Sequence, residues 1–87
     1  MTSLQYRKAF LKKYNKLDAR SKASVKEALL EFESHPYSPS LYNHSLKGEW
    51  KGYRSISAGF DLRIVFYEIE DDVFMIADVG THSELYG

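Results

Sequence analysis

The chain has 87 residues, of which 44% are hydrophobic and 15% aromatic, so it can bury one core and is not a disordered segment. It contains no cysteine, which excludes a disulfide framework and a thiolate metal site. The net charge is zero, but residues 1–26 contain eight of the 12 Lys and Arg and only one acid. This basic part indicates contact with nucleic acid or with an acidic protein segment, or it simply coats the solvent-exposed side of helices.

Metal and membrane binding are not expected from the sequence. The three histidines, His35, His44 and His82, do not have the close spacing of metal-ligand motifs, so we do not expect a structural metal. No apolar run approaches the roughly 20 residues that a membrane span requires. The N-terminal residues have no signal-peptide stretch, so we expect a cytoplasmic protein.

Two helices are predicted in the first part of the chain. Apolar residues recur at three- and four-residue spacing from Phe10 to Leu17, which predicts a helix over residues 4–17. The first few of these residues suit a short edge strand equally well. Asp18 is predicted to cap a second, antiparallel helix that ends at about Ser34, because the residue before a proline avoids the helical region.

The second part of the chain is predicted to form a sheet. Residues 35–52 are a polar connection whose length hints at function. Strands are predicted at 53–58, 62–70 and 72–79, and the last two form an antiparallel hairpin with apolar residues on both faces, which should lie inside the sheet. The whole chain, 1–87, is thus predicted to be one α+β domain, a helix pair on a twisted antiparallel sheet of three to four strands.

Three segments resemble the RelE superfamily of bacterial type II toxin–antitoxin toxins, in particular its YafQ branch. They are HSLKGEWKGYR from His44, DLRIVFYEIEDD from Asp61 and GTHSELYG from Gly80. The resemblance implies a RelE-like fold and an mRNA endonuclease that acts on the translating ribosome without a metal or cofactor. It also implies a cognate antitoxin that wraps around the toxin; whether toxin–antitoxin units assemble further is left open.

The resemblance assigns catalytic roles to His44, Asp61, Arg63 and His82. Metal-free RNA cleavage proceeds by attack of a 2′-OH on the adjacent phosphate and requires a base, an acid and cations. His44 and His82 are a candidate acid–base pair if the connection and the tail converge, because imidazole exchanges protons near neutral pH. Arg63 and Arg54 are expected to stabilise the developing charge, and Asp61 to orient a histidine or the hydroxyl.

Four further residues are expected to bind RNA. Arg54 falls near the basic residue that RelE-like toxins carry on the preceding strand. Lys47 and Lys51 are expected to hold flanking phosphates, and Tyr86 falls where the family has an aromatic residue, which we expect to stack on a splayed base.

Each assignment has a structural alternative. Single histidines in loops are more often surface residues than catalysts. Arg63 would then form an ion pair with Asp78 or Glu68 across the hairpin. Asp61 would be a turn residue, and Trp50 a partly buried anchor of the connection.

Three positions depart from the family pattern. Ser57 replaces a histidine, Leu62 a tryptophan, and Asp78 an arginine that faces the scissile phosphate; an anion at residue 78 should repel RNA. These departures favour a second hypothesis, a RelE/ParE-like binding module that binds gyrase or only its antitoxin. A third hypothesis is an unrelated small α+β interaction domain.

Overall fold

The computed structural model describes residues 2–86, which form three α-helices and five strands, with two single-turn 3₁₀-helices at Pro39–Leu41 and Gly48–Trp50. In chain order the α-helices and strands are β1 (Ser3–Tyr6), α1 (Lys8–Lys16), α2 (Ala19–Ser34), β2 (His44–Ser45), β3 (Arg54–Ser57), β4 (Leu62–Glu70), β5 (Val73–Thr81) and α3 (His82–Tyr86). The strands make one sheet in the order β1-β5-β4-β3-β2. β1 runs parallel to β5, and the other neighbours are antiparallel. None of the helices in this part of the chain is long and apolar enough to span a membrane.

The α+β class is confirmed, but the sheet is mixed and five-stranded, so the prediction of three to four antiparallel strands is wrong. The first residues form β1, the alternative that the sequence left open, because β5 satisfies their backbone: the N–H of Ser3 donates to the carbonyl of Asp72 at 2.9 Å, and that of Arg7 to Ile76 at 3.0 Å. The first helix therefore begins at Lys8 and not at residue 4. The C-terminal tail, for which no helix was predicted, forms α3.

The predicted hairpin is present and lies inside the sheet, between β1 and β3. β4 has the predicted bounds, and β5 continues two residues further than predicted, to Thr81. The turn contains Asp71 and Asp72, and Asp72 adopts a positive φ of 62°, a conformation that aspartate tolerates better than most residues.

A one-residue bulge in β5 decides which side chains face the core. Ala77 has no directly opposed residue, because the register with β4 shifts between the pairs made by Ile76 and Asp78. In a regular strand Asp78 would share the core face with Ile76. The bulge instead places Val79 in the core and Asp78 opposite Val65 on the other face.

The core lies between the sheet and the two longer helices; α1 packs mainly on β5, and α2 on β4. Phe32 of α2 meets two sheet phenylalanines edge-on, with ring centroids 4.7 Å from Phe66 and 5.0 Å from Phe74. The cluster consists of Phe10, Val25, Ala28, Phe32, Leu41, Ile56, Ala58, Ile64, Phe66, Phe74, Ile76 and Val79.

Replacing Phe32 by alanine should lower the free energy of unfolding by about 3–5 kcal/mol, because the cavity removes contacts to both strands of the hairpin. Urea denaturation followed by circular dichroism measures the change. Leu30→Ala, on the same helix but with 57% of the residue exposed, is the control and should change stability by less than about 0.5 kcal/mol. Equal effects of the two variants would contradict this description of the core.

Candidate active site

The face of the sheet opposite the main core carries most of the predicted catalytic residues. Strand pairing aligns His44, Ser55, Val65 and Asp78 in one row across β2, β3, β4 and β5. Directly opposed residues of antiparallel strands share a face. Arg63, two residues before Val65, lies on the same face.

A cleft of about 660 Å³ on this face joins the connection, the hairpin and the tail. We name it the histidine cleft; it is lined by His44, Leu46, Lys47, Glu49, Trp50, Arg63, His82, Leu85 and Tyr86. Trp50 fastens the connection to α3, since its Nε1 donates to the carbonyl of Leu85 at 3.0 Å. The connection and the tail therefore converge, as an acid–base pair of His44 and His82 requires.

His44 is held in one tautomer. Its Nδ1 lies 2.8 Å from the carbonyl oxygen of Tyr42, and because a carbonyl only accepts, Nδ1 carries the proton. In the neutral ring the lone pair is then on Nε2, which can accept a proton from a substrate. Tyr42 itself has left-handed backbone angles, φ 51° and ψ 45°, a conformation that non-glycine residues adopt at a cost of about 1–3 kcal/mol.

His82 begins a short helix whose start is fixed by a reciprocal hydrogen-bond pair. Oε1 of Glu84 accepts from the N–H of Thr81 at 2.8 Å, and Oγ1 of Thr81 accepts from the N–H of Glu84 at 3.2 Å. This is a capping box, and its Thr-x-x-Glu pattern was the sequence signal that would have predicted α3. The His82 ring packs edge-on against Tyr86 one turn later, with centroids 4.9 Å apart.

Asp78 forms its ion pair with α1 and not with Arg63. Nζ of Lys13 lies 2.8 Å from Oδ1 of Asp78, whereas Nη1 of Arg63 donates to the carbonyl of Leu62 at 3.0 Å. Lys13 therefore offsets the negative charge of Asp78. Sequence reasoning missed this partner because 65 residues separate it from Asp78.

Three predicted residues do not line the histidine cleft. Arg54 lies on the opposite face of β3, where its Nε donates to Oδ1 of Asn43 at 2.8 Å and its guanidinium lies 5.7 Å from the ring centroid of Tyr37. Asp61 is exposed in the turn between β3 and β4, and Lys51 is exposed where the connection approaches β3. Their roles in catalysis and RNA binding stay predictions.

Comparison with known proteins connects the fold and the cleft to one family. Residues 2–87 match the family described as "Bacterial toxin of type II toxin-antitoxin system, YafQ". The mRNA interferase toxin YafQ of Escherichia coli (strain K12) is 38% identical over 50 residues, which are 56% of this chain and 53% of that protein. The chain is thus matched over about half the length of this curated relative.

Solved structures agree with the family match. The crystal structure of YafQ from E. coli strain BL21(DE3) covers 100% of both chains with a TM-score of 0.81 at 21% identity. A chain of the E. coli DinJ-YafQ complex also covers 100% of both, with a TM-score of 0.67 at 22% identity. The fold is that of a RelE-like type II toxin. The chain belongs to the YafQ family of bacterial toxins of type II toxin–antitoxin systems.

Two helix caps make stability sensitive to acid. The hydrogen bond from the N–H of Thr81 lowers the pKa of Glu84 below its usual 4.5, and that from Ser21 lowers the pKa of Asp18 below its usual 3.8. A carboxyl group whose pKa is lower in the folded protein stabilises it above the unfolded pKa. This contribution is lost as the pH falls through the folded pKa. The melting temperature should therefore fall as the pH drops below about 4.5.

Glu84→Gln and Asp18→Asn keep a hydrogen-bond acceptor at each cap but remove its titration. Each variant should retain its helix and flatten the acid side of the melting-temperature profile, because amides accept the same backbone N–H at every pH. Calorimetry from pH 7 to pH 3 measures this. If the melting temperature of both variants falls with pH as steeply as that of the wild type, these two carboxyl groups are not the cause of the acid sensitivity.

Proposed function

We propose that this chain cleaves mRNA on the translating ribosome. The observation that carries the proposal is the convergence of His44, Arg63 and His82 in one cleft. The fixed Nδ1 proton of His44, which leaves Nε2 free to act as a base, supports it further. The mRNA interferase activity in the name of the E. coli relative agrees with it.

In the proposed reaction Nε2 of His44 removes the proton from the 2′-OH of the substrate. The 2′-oxygen attacks the adjacent phosphorus, a 2′,3′-cyclic phosphate forms, and the bond from phosphorus to the 5′-oxygen breaks. His82 donates a proton to that leaving oxygen. Arg63 stabilises the negative charge that builds up on the phosphoryl oxygens.

The remaining residues are proposed to bind RNA around this centre. Tyr86 stacks on a base and Lys47 contacts a flanking phosphate, since both line the histidine cleft. Lys51 and Asp61, exposed outside that cleft, are assigned to flanking nucleotides and to orientation of the substrate hydroxyl. Arg54 is on the opposite face and is assigned no contact with the scissile phosphate.

We also propose that a cognate antitoxin silences the chain. The family description supports this, as does the crystallisation of a relative as a DinJ-YafQ complex. Basic side chains of α1, including Lys8, Lys12 and Lys16, are exposed and suit an acidic partner segment. Because the proposed cleavage takes place on ribosomes, we propose that the protein acts in the cytoplasm.

A second candidate function is favoured by Ser57 and Asp78, which replace a histidine and an arginine of the family pattern. With these substitutions the chain would be a RelE/ParE-like module that arrests growth by binding gyrase, or that only binds its antitoxin. Growth arrest without mRNA cuts, unchanged by His82→Ala, would support this second candidate.

His82→Ala and His44→Ala should each reduce mRNA cleavage by about 100-fold or more, because general acid–base groups contribute factors of that size. Primer extension on mRNA from cells that briefly express each variant measures the cuts. His35→Ala, an exposed histidine just after α2, is the control and should cut like the wild type. Cuts at wild-type frequency in both cleft variants would overturn the proposed mechanism.

Lys13→Ala should lower cleavage by up to about fivefold, the equivalent of the roughly 1 kcal/mol that a partly exposed ion pair contributes at most. The variant leaves Asp78 unpaired on the face that binds RNA. Adding Asp78→Asn to Lys13→Ala should restore cleavage, and Lys12→Ala is the control on the same helix. No rescue in the double variant would contradict the neutralising role of Lys13.

A further inference from the structure

A second cleft adjoins the histidine cleft. It has a volume of about 550 Å³, within the range of sites that hold small-molecule-sized ligands. We name it the aromatic cleft; it is lined by Tyr42, His44, Ser57, Gly59, Phe60 and Arg63. Since His44 and Arg63 also line the histidine cleft, the two clefts meet at these two residues.

The two aromatic side chains of this cleft have no role in the core. Phe60 is 104% exposed and Tyr42 is 73% exposed, so each leaves a large apolar surface in water. Phe60 lies at the tip of a turn closed by a hydrogen bond of 2.9 Å from the N–H of Ala58 to the carbonyl of Leu62. The left-handed backbone of Tyr42 carries the carbonyl that holds His44.

The chemistry of the lining fits a nucleobase. None of the six residues is acidic, and the guanidinium of Arg63 provides a cation at one side. Ser57 donates its hydroxyl proton to the carbonyl of Gly59 at 3.2 Å, so its oxygen remains an acceptor for an amino group. Exposed rings beside phosphate-binding cations are the usual arrangement for single-stranded RNA, whose bases stack on aromatic side chains.

We propose that the aromatic cleft binds the base next to the scissile phosphate, by stacking on Phe60 and Tyr42. The inference rests on the proposed function, because the scissile phosphate, contacted by Arg63 beside His44, has one nucleotide on each side. One base then enters the histidine cleft and contacts Tyr86, and the other enters the aromatic cleft. An apolar side chain of the antitoxin is the competing occupant; the proposed base His44 and the phosphate-binding Arg63, which both clefts share, favour RNA.

The test uses purified toxin and a short single-stranded RNA whose central nucleotide is 2′-O-methylated, so that it cannot be cleaved. A 2-aminopurine is placed either at that nucleotide or at its 3′ neighbour, the two positions that flank the scissile phosphate, and reports stacking by loss of fluorescence. Phe60→Ala and Tyr42→Ala should each weaken binding by about 5- to 140-fold and restore the fluorescence of 2-aminopurine on one side only. Phe60→Trp and Tyr42→Phe should keep the quenching, and Leu30→Ala should bind like the wild type.

Several outcomes would overturn the proposal. These are wild-type affinity and quenching in both alanine variants, loss of quenching on both sides equally, or no quenching by the wild type. Loss of antitoxin binding with RNA binding unchanged would assign the cleft to the antitoxin. If quenching depends on Phe60 but the wild-type toxin makes no mRNA cuts in cells, the base site is supported and the proposed nuclease function is rejected. Failure of the base site can therefore be distinguished from failure of the proposed function.

Discussion

The alternation of side chains across the sheet, which the Ala77 bulge shifts by one residue, is the constraint on which both the core and the site depend. Along β4, residues such as Phe66 enter the core and residues such as Arg63 face the histidine cleft. β5 would send Asp78 into the core if it were regular. The extra residue turns this carboxylate to the cleft face, where Lys13 pairs with it, and gives its place in the core to Val79.

The candidate base and acid lie on two short elements, β2 and α3, and both are fixed by local hydrogen bonds. The carbonyl of Tyr42 holds the His44 ring, and the capping box starts the helix that carries His82. Trp50 joins the two segments through the carbonyl of Leu85. A rigid sheet that positions functional groups on short, hydrogen-bonded segments is a common design for active sites.

Parts of the fold with strong local signals could be predicted. The period-two pattern gave the bounds of β4, and the cap at Asp18 is confirmed, with Oδ1 accepting from the N–H of Ser21 at 2.7 Å. Local patterns left β1 as one of two alternatives and did not indicate the two-residue β2, because each is a strand only through pairing with another segment. The face of the sheet on which Arg54 lies could not be predicted either. It depends on the register of strand pairing and not on the residue's neighbours in sequence.

The pH dependence of cleavage tests most directly whether His44 and His82 act as base and acid. With ribosomes programmed in vitro, the wild type should show a bell-shaped profile. His44→Ala should lose the rise on the acid side, since the base must be unprotonated to act, and His82→Ala should lose the fall on the alkaline side, since the acid must be protonated. Two results would contradict these roles of His44 and His82. One is a bell-shaped pH profile of residual cleavage that is unchanged in both variants, and the other is loss of the same side of the profile in both.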